Sequence, residues 1–132
     1  MNIPLLCVAL LALLTIAAGF RVSMARASTG IVQGYPDDPS NILHKAVRAH
    51  GNTVEYAPVI ALLIYILGAY NPPFWLVICM VLVTVARYMI YFGLLLSPTI
   101  NKPHPLRFLG ALLTYIFGIV LAVYLAWVAL VA

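Results

Sequence analysis

The stretch RAHGNTVEYAPVIALLIYILG, Arg48 to Gly68, decides the fold. Its second half is apolar enough to lie in lipid. Its first half carries an arginine, an asparagine and a glutamate into the same segment. Taking about 100° per residue and Arg48 as zero, Asn52 falls near 40°, Glu55 near −20°, Lys45 near 60°, His44 near −40° and Gly51 near −60°. These residues form one stripe, and the apolar residues after Pro58 do not continue it. A charge facing lipid costs about 2.5–3.5 kcal/mol on the mildest scale. The stripe must therefore point into protein or into a water-filled cleft.

The rest of the chain agrees with a membrane setting. Of 132 residues, 65% are hydrophobic and 8% charged, whereas a soluble domain is about half apolar and a quarter charged. Too few polar residues are present to cover a water-facing surface. Seven Lys and Arg against three Asp and Glu give +4, an excess that bears on orientation. No basic run interleaved with aromatics suggests a nucleic-acid surface. Cys7 and Cys79 sit in apolar runs and read as small core residues. His44, His50 and His104 show no metal-ligand spacing, so no metal is expected.

A spanning helix needs about 20 apolar residues. Four segments qualify, at about 3–24, 42–68, 73–96 and 106–131, and they predict an all-α, integral membrane four-helix bundle of one domain over residues 1–132. GYPDDPSN (Gly34 to Asn41), AYNPP (Ala69 to Pro73) and SPTINKPHP (Ser97 to Pro105) break the spans, and Ser40 or Asn41 could cap the second helix. Arg21, Arg26, Lys45 and Arg48 surround the first connection, and Lys102 and Arg107 flank the third. The positive-inside rule predicts both basic connections in the cytoplasm and both termini on the far side.

The third span carries its own anomaly in TVARYMIYFG, Thr84 to Gly93. Counted from the helix ends, Arg87 and Glu55 both lie roughly 15–20 Å deep. The two helices are antiparallel neighbours, so Glu55 and Arg87 are expected to meet and neutralise each other. Tyr88 and Tyr91 add hydroxyls that need partners. That pair alone could be a structural network. Lys45, Arg48 and Asn52 extend it into a cationic cluster opening to the cytoplasm, which suits an anionic polar ligand. A lipid-soluble second substrate would enter from the bilayer.

AVRAHGNTVEYAP, Ala46 to Pro58, closely resembles the second-helix signature of the membrane-associated proteins in eicosanoid and glutathione metabolism, the MAPEG family, and is most like its bacterial members. The shared pattern is R-A-x-x-N-x-x-E followed by proline: Arg48, Ala49, Asn52, Glu55 and Pro58. The resemblance implies a homotrimer in a bacterial inner membrane, with glutathione bound between neighbouring subunits near the cytoplasmic helix ends. It implies that Arg48, Asn52 and Glu55 hold the tripeptide's charged groups, with Lys45, Arg87 and Tyr88 nearby, and that Arg26 reaches the ligand. It makes Arg107, in Pro105-Leu106-Arg107, the residue facing the sulfur, with Tyr91 as a hydroxyl donor. Two positions depart from the pattern. Ile90 stands where family members often have histidine or tyrosine, and Gly51 where some have a further basic residue.

The implied activity is transfer of glutathione to lipophilic electrophiles, or reduction of lipid hydroperoxides. A non-catalytic scaffold that binds lipid or glutathione is the alternative. A small transporter built on Glu55 and Arg87 is disfavoured, because no span has the broken-helix pattern of midplane ion sites.

Overall fold

The computed structural model describes residues 1–131. Four helices account for most of them: α1 Ile3–Thr29, α2 Ile42–Gly68, α3 Phe74–Leu96 and α4 Pro105–Val131. Each is long and apolar enough to cross a membrane. Their ends follow from local chemistry. The Asn2 side chain accepts from the Leu5 amide at 3.1 Å, with proline in the first turn of α1. Helix α1 runs past the expected end near Met24 to Thr29, since no breaker intervenes before Gly30. There the chain turns left-handed, at φ 71°, and the Gly30 amide donates to the Arg26 carbonyl. Of the two candidate caps for α2, Asn41 is the one used, accepting from Leu43 N at 2.8 Å. Pro73 precedes α3, and the Ser97 hydroxyl closes it by donating to the Gly93 carbonyl at 2.6 Å.

The helices pack as two hairpins. Helix α1 lies mainly on α2 and α3 on α4; α2 and α3 form the seam, and α2 barely touches α4. The α3–α4 contact is close because glycines face it. A Cβ at Gly110 would lie 2.8 Å from Ile90 Cγ1 and 2.9 Å from the Ala86 carbonyl oxygen. One at Gly93 would lie 2.8 Å from the Arg107 backbone nitrogen. The half of the bundle towards the termini is filled by Leu11, Ile60, Ile64, Leu67, Leu76, Met80 and Leu121. Cys7 is buried there as a free thiol. Leu13, Ile16, Phe20, Phe92, Ile119 and Trp127 point outward, as lipid-facing side chains should.

At the opposite end the long connections are tied together. Ile100 N donates to the Pro39 carbonyl at 3.1 Å, and Lys45 Nζ donates to the Ser97 carbonyl at 3.1 Å. The buried His44 donates through Nδ1 to the Pro36 carbonyl at 2.9 Å and packs on the Tyr35 ring. Asp38 accepts from the Ser40 hydroxyl and amide, which holds its carboxyl below the usual 3.8.

Candidate functional site

The weak contact between α2 and α4 leaves a cavity of about 220 Å³ between them, floored by α3. Helix α2 contributes Arg48, Asn52 and Tyr56, one turn apart in succession. Helix α3 contributes Arg87, Ile90 and Leu94, and α4 contributes Arg107, Ala111, Thr114 and Tyr115. Three guanidinium-bearing residues from three helices thus share a lining that contains no carboxylate.

Arg87 is the most constrained of the three, at 1% exposure. Its Nη2 donates to the Asn52 side-chain oxygen at 2.6 Å and to the Asn52 backbone carbonyl at 2.8 Å. Its guanidinium carbon lies 4.9 Å from the centroid of the Tyr56 ring, within the range of a cation–π contact. Its Nε is buried with no hydrogen-bond partner among the described residues. Arg107 is half-buried and holds the Ile100 carbonyl through Nη1 at 2.8 Å. Arg48 is exposed at the mouth.

The expected Glu55–Arg87 ion pair does not form among the described residues. Arg87 lies nine residues from the end of α3 and Asn52 ten from the start of α2, so both are about 14–15 Å in; Glu55 is a further turn deeper, at about 20 Å. Asn52 is therefore level with Arg87 and offers it two oxygens. Glu55 is exposed and lines a separate apolar groove of about 350 Å³, with Val59, Leu63 and Ile119 among its neighbours.

Four other candidates lie away from the cavity. Arg26 donates through Nη1 to the carbonyls of Ile31, Val32 and Gly34, at 3.0–3.2 Å, and so organises the chain beyond α1 rather than facing the site. Lys45 is held by Ser97. Tyr88 donates to the Leu10 carbonyl at 2.8 Å, joining α3 to α1. Tyr91 is buried among Leu14, Ala18 and Ala49. From Arg87, Ile90 and Leu94 fall near −60° and −20°, whereas Tyr91 falls near +40° and turns towards α1.

Tyr56, Thr114 and Tyr115 were not among the candidates, yet they line both the cavity and the groove. The hydroxyls of Tyr56 and Tyr115 are 3.2 Å apart. A signal was present. Tyr56 stands four residues after Asn52, and Thr114 and Tyr115 stand seven and eight after Arg107, so each continues the face of a known polar residue. Within otherwise apolar helices the two tyrosine rings read as packing residues.

Fold and site together define a class: an integral membrane four-helix bundle with a cationic cavity near one end and an apolar groove adjoining it. The chain belongs to the MAPEG family, whose family model matches residues 4–127. No curated protein and no solved structure matches it.

Proposed function

We propose that this protein binds glutathione in the cationic cavity and uses its thiolate against lipid-soluble electrophiles or hydroperoxides. The observation that carries the reading is the convergence of Arg48, Arg87 and Arg107 on one cavity without a carboxylate in its wall. Glutathione is a net anion with two carboxylates. Arg48 would attract it at the mouth, and Arg87, fixed by Asn52, would hold a positive charge at the cavity floor. Glu55 would take the ligand's ammonium from the groove side, as family membership suggests.

Arg107 is the proposed activator. A thiol with a pKa near 8.5 is only a few per cent thiolate at pH 7; lowering it by about two units needs about 2.7 kcal/mol of preference for the anion. One guanidinium in a partly dry site can supply this. Its second nitrogen is free to do so while Nη1 holds Ile100.

Two features support assembly into the expected homotrimer. The cavity is smaller than the roughly 300–1,000 Å³ of common small-molecule sites, so a tripeptide needs walls from a second chain. Exposed Glu55, deep in the span, needs cover from lipid. The orientation follows the positive charge: connections 30–41 and 97–104 are cytoplasmic, which places the cavity mouth where glutathione is abundant, in a bacterial inner membrane.

Calorimetry with millimolar glutathione on detergent-solubilised protein tests the reading, and no binding would end it. If binding is found, Arg107→Ala should raise the thiol titration of bound glutathione by one pH unit or more, because the group favouring the anion is gone. Arg48→Ala should raise KM with kcat nearly unchanged, since it removes attraction common to ground and transition states. A second reading, a non-catalytic glutathione or lipid binder, draws on Ile90 and Leu94, which make the α3 wall apolar. It predicts binding without any shift of the thiol titration in the wild type.

A further inference from the structure

The polar cavity and the apolar groove share three residues, Tyr56, Thr114 and Tyr115. Thr114 is committed, its hydroxyl donating to the Gly110 carbonyl at 2.8 Å. Tyr56 and Tyr115 are not. Their hydroxyls meet at 3.2 Å, with the rings edge to face at 6.1 Å between centroids. Two hydroxyls that bond each other use one proton and leave the second free to donate. Arg87 under the Tyr56 ring holds that member in place. Tyr115, 53% exposed, is the more accessible of the two and lines both spaces. Beyond it the groove is lined by Val59, Leu63, Ile119 and Ala122, with Glu55 its one charged residue and Gly118 leaving room between helices.

From this junction we infer that Tyr115 is a hydrogen-bond donor to the second substrate, and that this substrate carries an acceptor oxygen between an apolar tail and its reacting carbon. The inference rests on the reading of the cavity as a glutathione site. The tail lies in the groove, the oxygen sits at the tyrosine pair, and the reacting carbon projects into the cavity towards the thiolate. Tyr56 donates to Tyr115, and Tyr115 donates to the ligand.

An alkyl vinyl ketone has this order of groups. The thiolate sulfur bonds to the terminal alkene carbon. The alkene pair shifts towards the carbonyl, and the carbonyl oxygen takes up negative charge as an enolate. Tyr115 stabilises that charge by its hydrogen bond, as fixed donors do where an oxyanion develops. A proton from water then reaches the carbon next to the carbonyl. The net result is addition of the thiol across the double bond, with no leaving group and no oxidant.

Two probes test the assignment on the full-length protein. The first is a long-chain methyl ketone, which binds without reacting, followed by its infrared carbonyl stretch. The wild type should shift this band to lower frequency, Tyr115→Phe should abolish the shift, and Tyr56→Phe should retain it because the Tyr115 proton remains. The second compares glutathione conjugation of a long-chain alkyl vinyl ketone with that of an alkyl iodide, which loses iodide and gathers no charge on oxygen. Tyr115→Phe should slow the ketone about tenfold or more and leave the iodide unchanged. Equal slowing of both, or of neither, overturns the role of Tyr115, as does a ketone band that the substitution does not move. A band shift that depends on Tyr115 in a protein that binds no glutathione keeps the donor and removes the glutathione reading; conjugation with an unaltered ratio does the reverse.

Discussion

Helix α2 contains two regions that differ in what they bury. From Lys45 to Tyr56 it faces α3 and α4 with arginine, asparagine and tyrosine across an open cavity. From Ala57 to Leu67 it meets the same bundle through Ile60, Ile64 and Leu67, all nearly inaccessible. The second region is set by volume and tolerates exchange of one aliphatic residue for another. The first is set by pairing: Lys45 and Asn52 hold named partners, and Arg48, Asn52 and Tyr56 line the cavity. Position along one continuous helix thus decides which kind of substitution does harm.

The strongest way to break this contrast is Asn52→Leu. It takes the side-chain oxygen from the buried Arg87 and leaves it only the backbone carbonyl of residue 52 and the Tyr56 ring, and losing a hydrogen bond to a charged group costs about 1.5–3 kcal/mol. Thermal unfolding in detergent should show the loss, and Asn52→Leu combined with Arg87→Met should recover part of it. A double-mutant cycle on Arg87 with Glu55→Gln should show far weaker coupling, since those two do not meet. A large coupling there would restore the ion pair expected from the sequence.

Next comes Gly110→Ala, where the added methyl meets the Ala86 carbonyl and Ile90 at under 3 Å. Overpacking of this kind costs about 1–3 kcal/mol. Gly118→Ala, with nothing within 4 Å, should be neutral or stabilising by up to about 1 kcal/mol through helix propensity. Equal melting temperatures for the two would mean that α3 and α4 are not as close as described.

A smaller effect separates the loop cation from the cavity cations. Arg26→Ala removes hydrogen bonds to three loop carbonyls and should cost about 1 kcal/mol, with glutathione affinity by calorimetry unchanged. A large loss of affinity would return Arg26 to the site.

The smallest effect is one of pH. The Asp38 carboxyl is held below 3.8 by Ser40, so its contribution is present above the unfolded value and fades as pH falls through the folded one. Protection of the Ser40 amide, taken against its intrinsic exchange rate at each pH, should fall on acidification below about pH 4 and in Asp38→Asn, while protection in the helix interiors is kept.

The fold was legible because its signals are one-dimensional. Runs of apolar residues, the prolines of the connections and Asn41 mark the helices to within a few residues, and only α1 ran on unannounced, for want of a breaker before Gly30. The site was legible in part. The R-A-x-x-N-x-x-E pattern singles out Arg48 and Asn52, and Pro-x-Arg singles out Arg107. The partner of Arg87 was not legible, because a choice between Asn52 and Glu55 turns on one helical turn of depth between two helices. Tyr91 was drawn in by its nearness to Arg87 in sequence, while its azimuth takes it to α1. Tyr115 was passed over because an aromatic on a lipid-exposed helix has no polar neighbour until α2 is set against it.

The division into two hairpins has a consequence for how the molecule is made. Each hairpin is built of contacts between sequence neighbours and can form as it enters the bilayer. Other bonds join one hairpin to the other, among them Arg87 to Asn52, Lys45 to Ser97 and Tyr88 to Leu10. Until the hairpins dock, Arg87 waits in the membrane without its oxygens, and the second hairpin is held at a cost of a few kcal/mol. Docking relieves that cost in one step. The buried arginine therefore ties the stability of the second hairpin to one register against the first, the register in which Asn52 stands level with it.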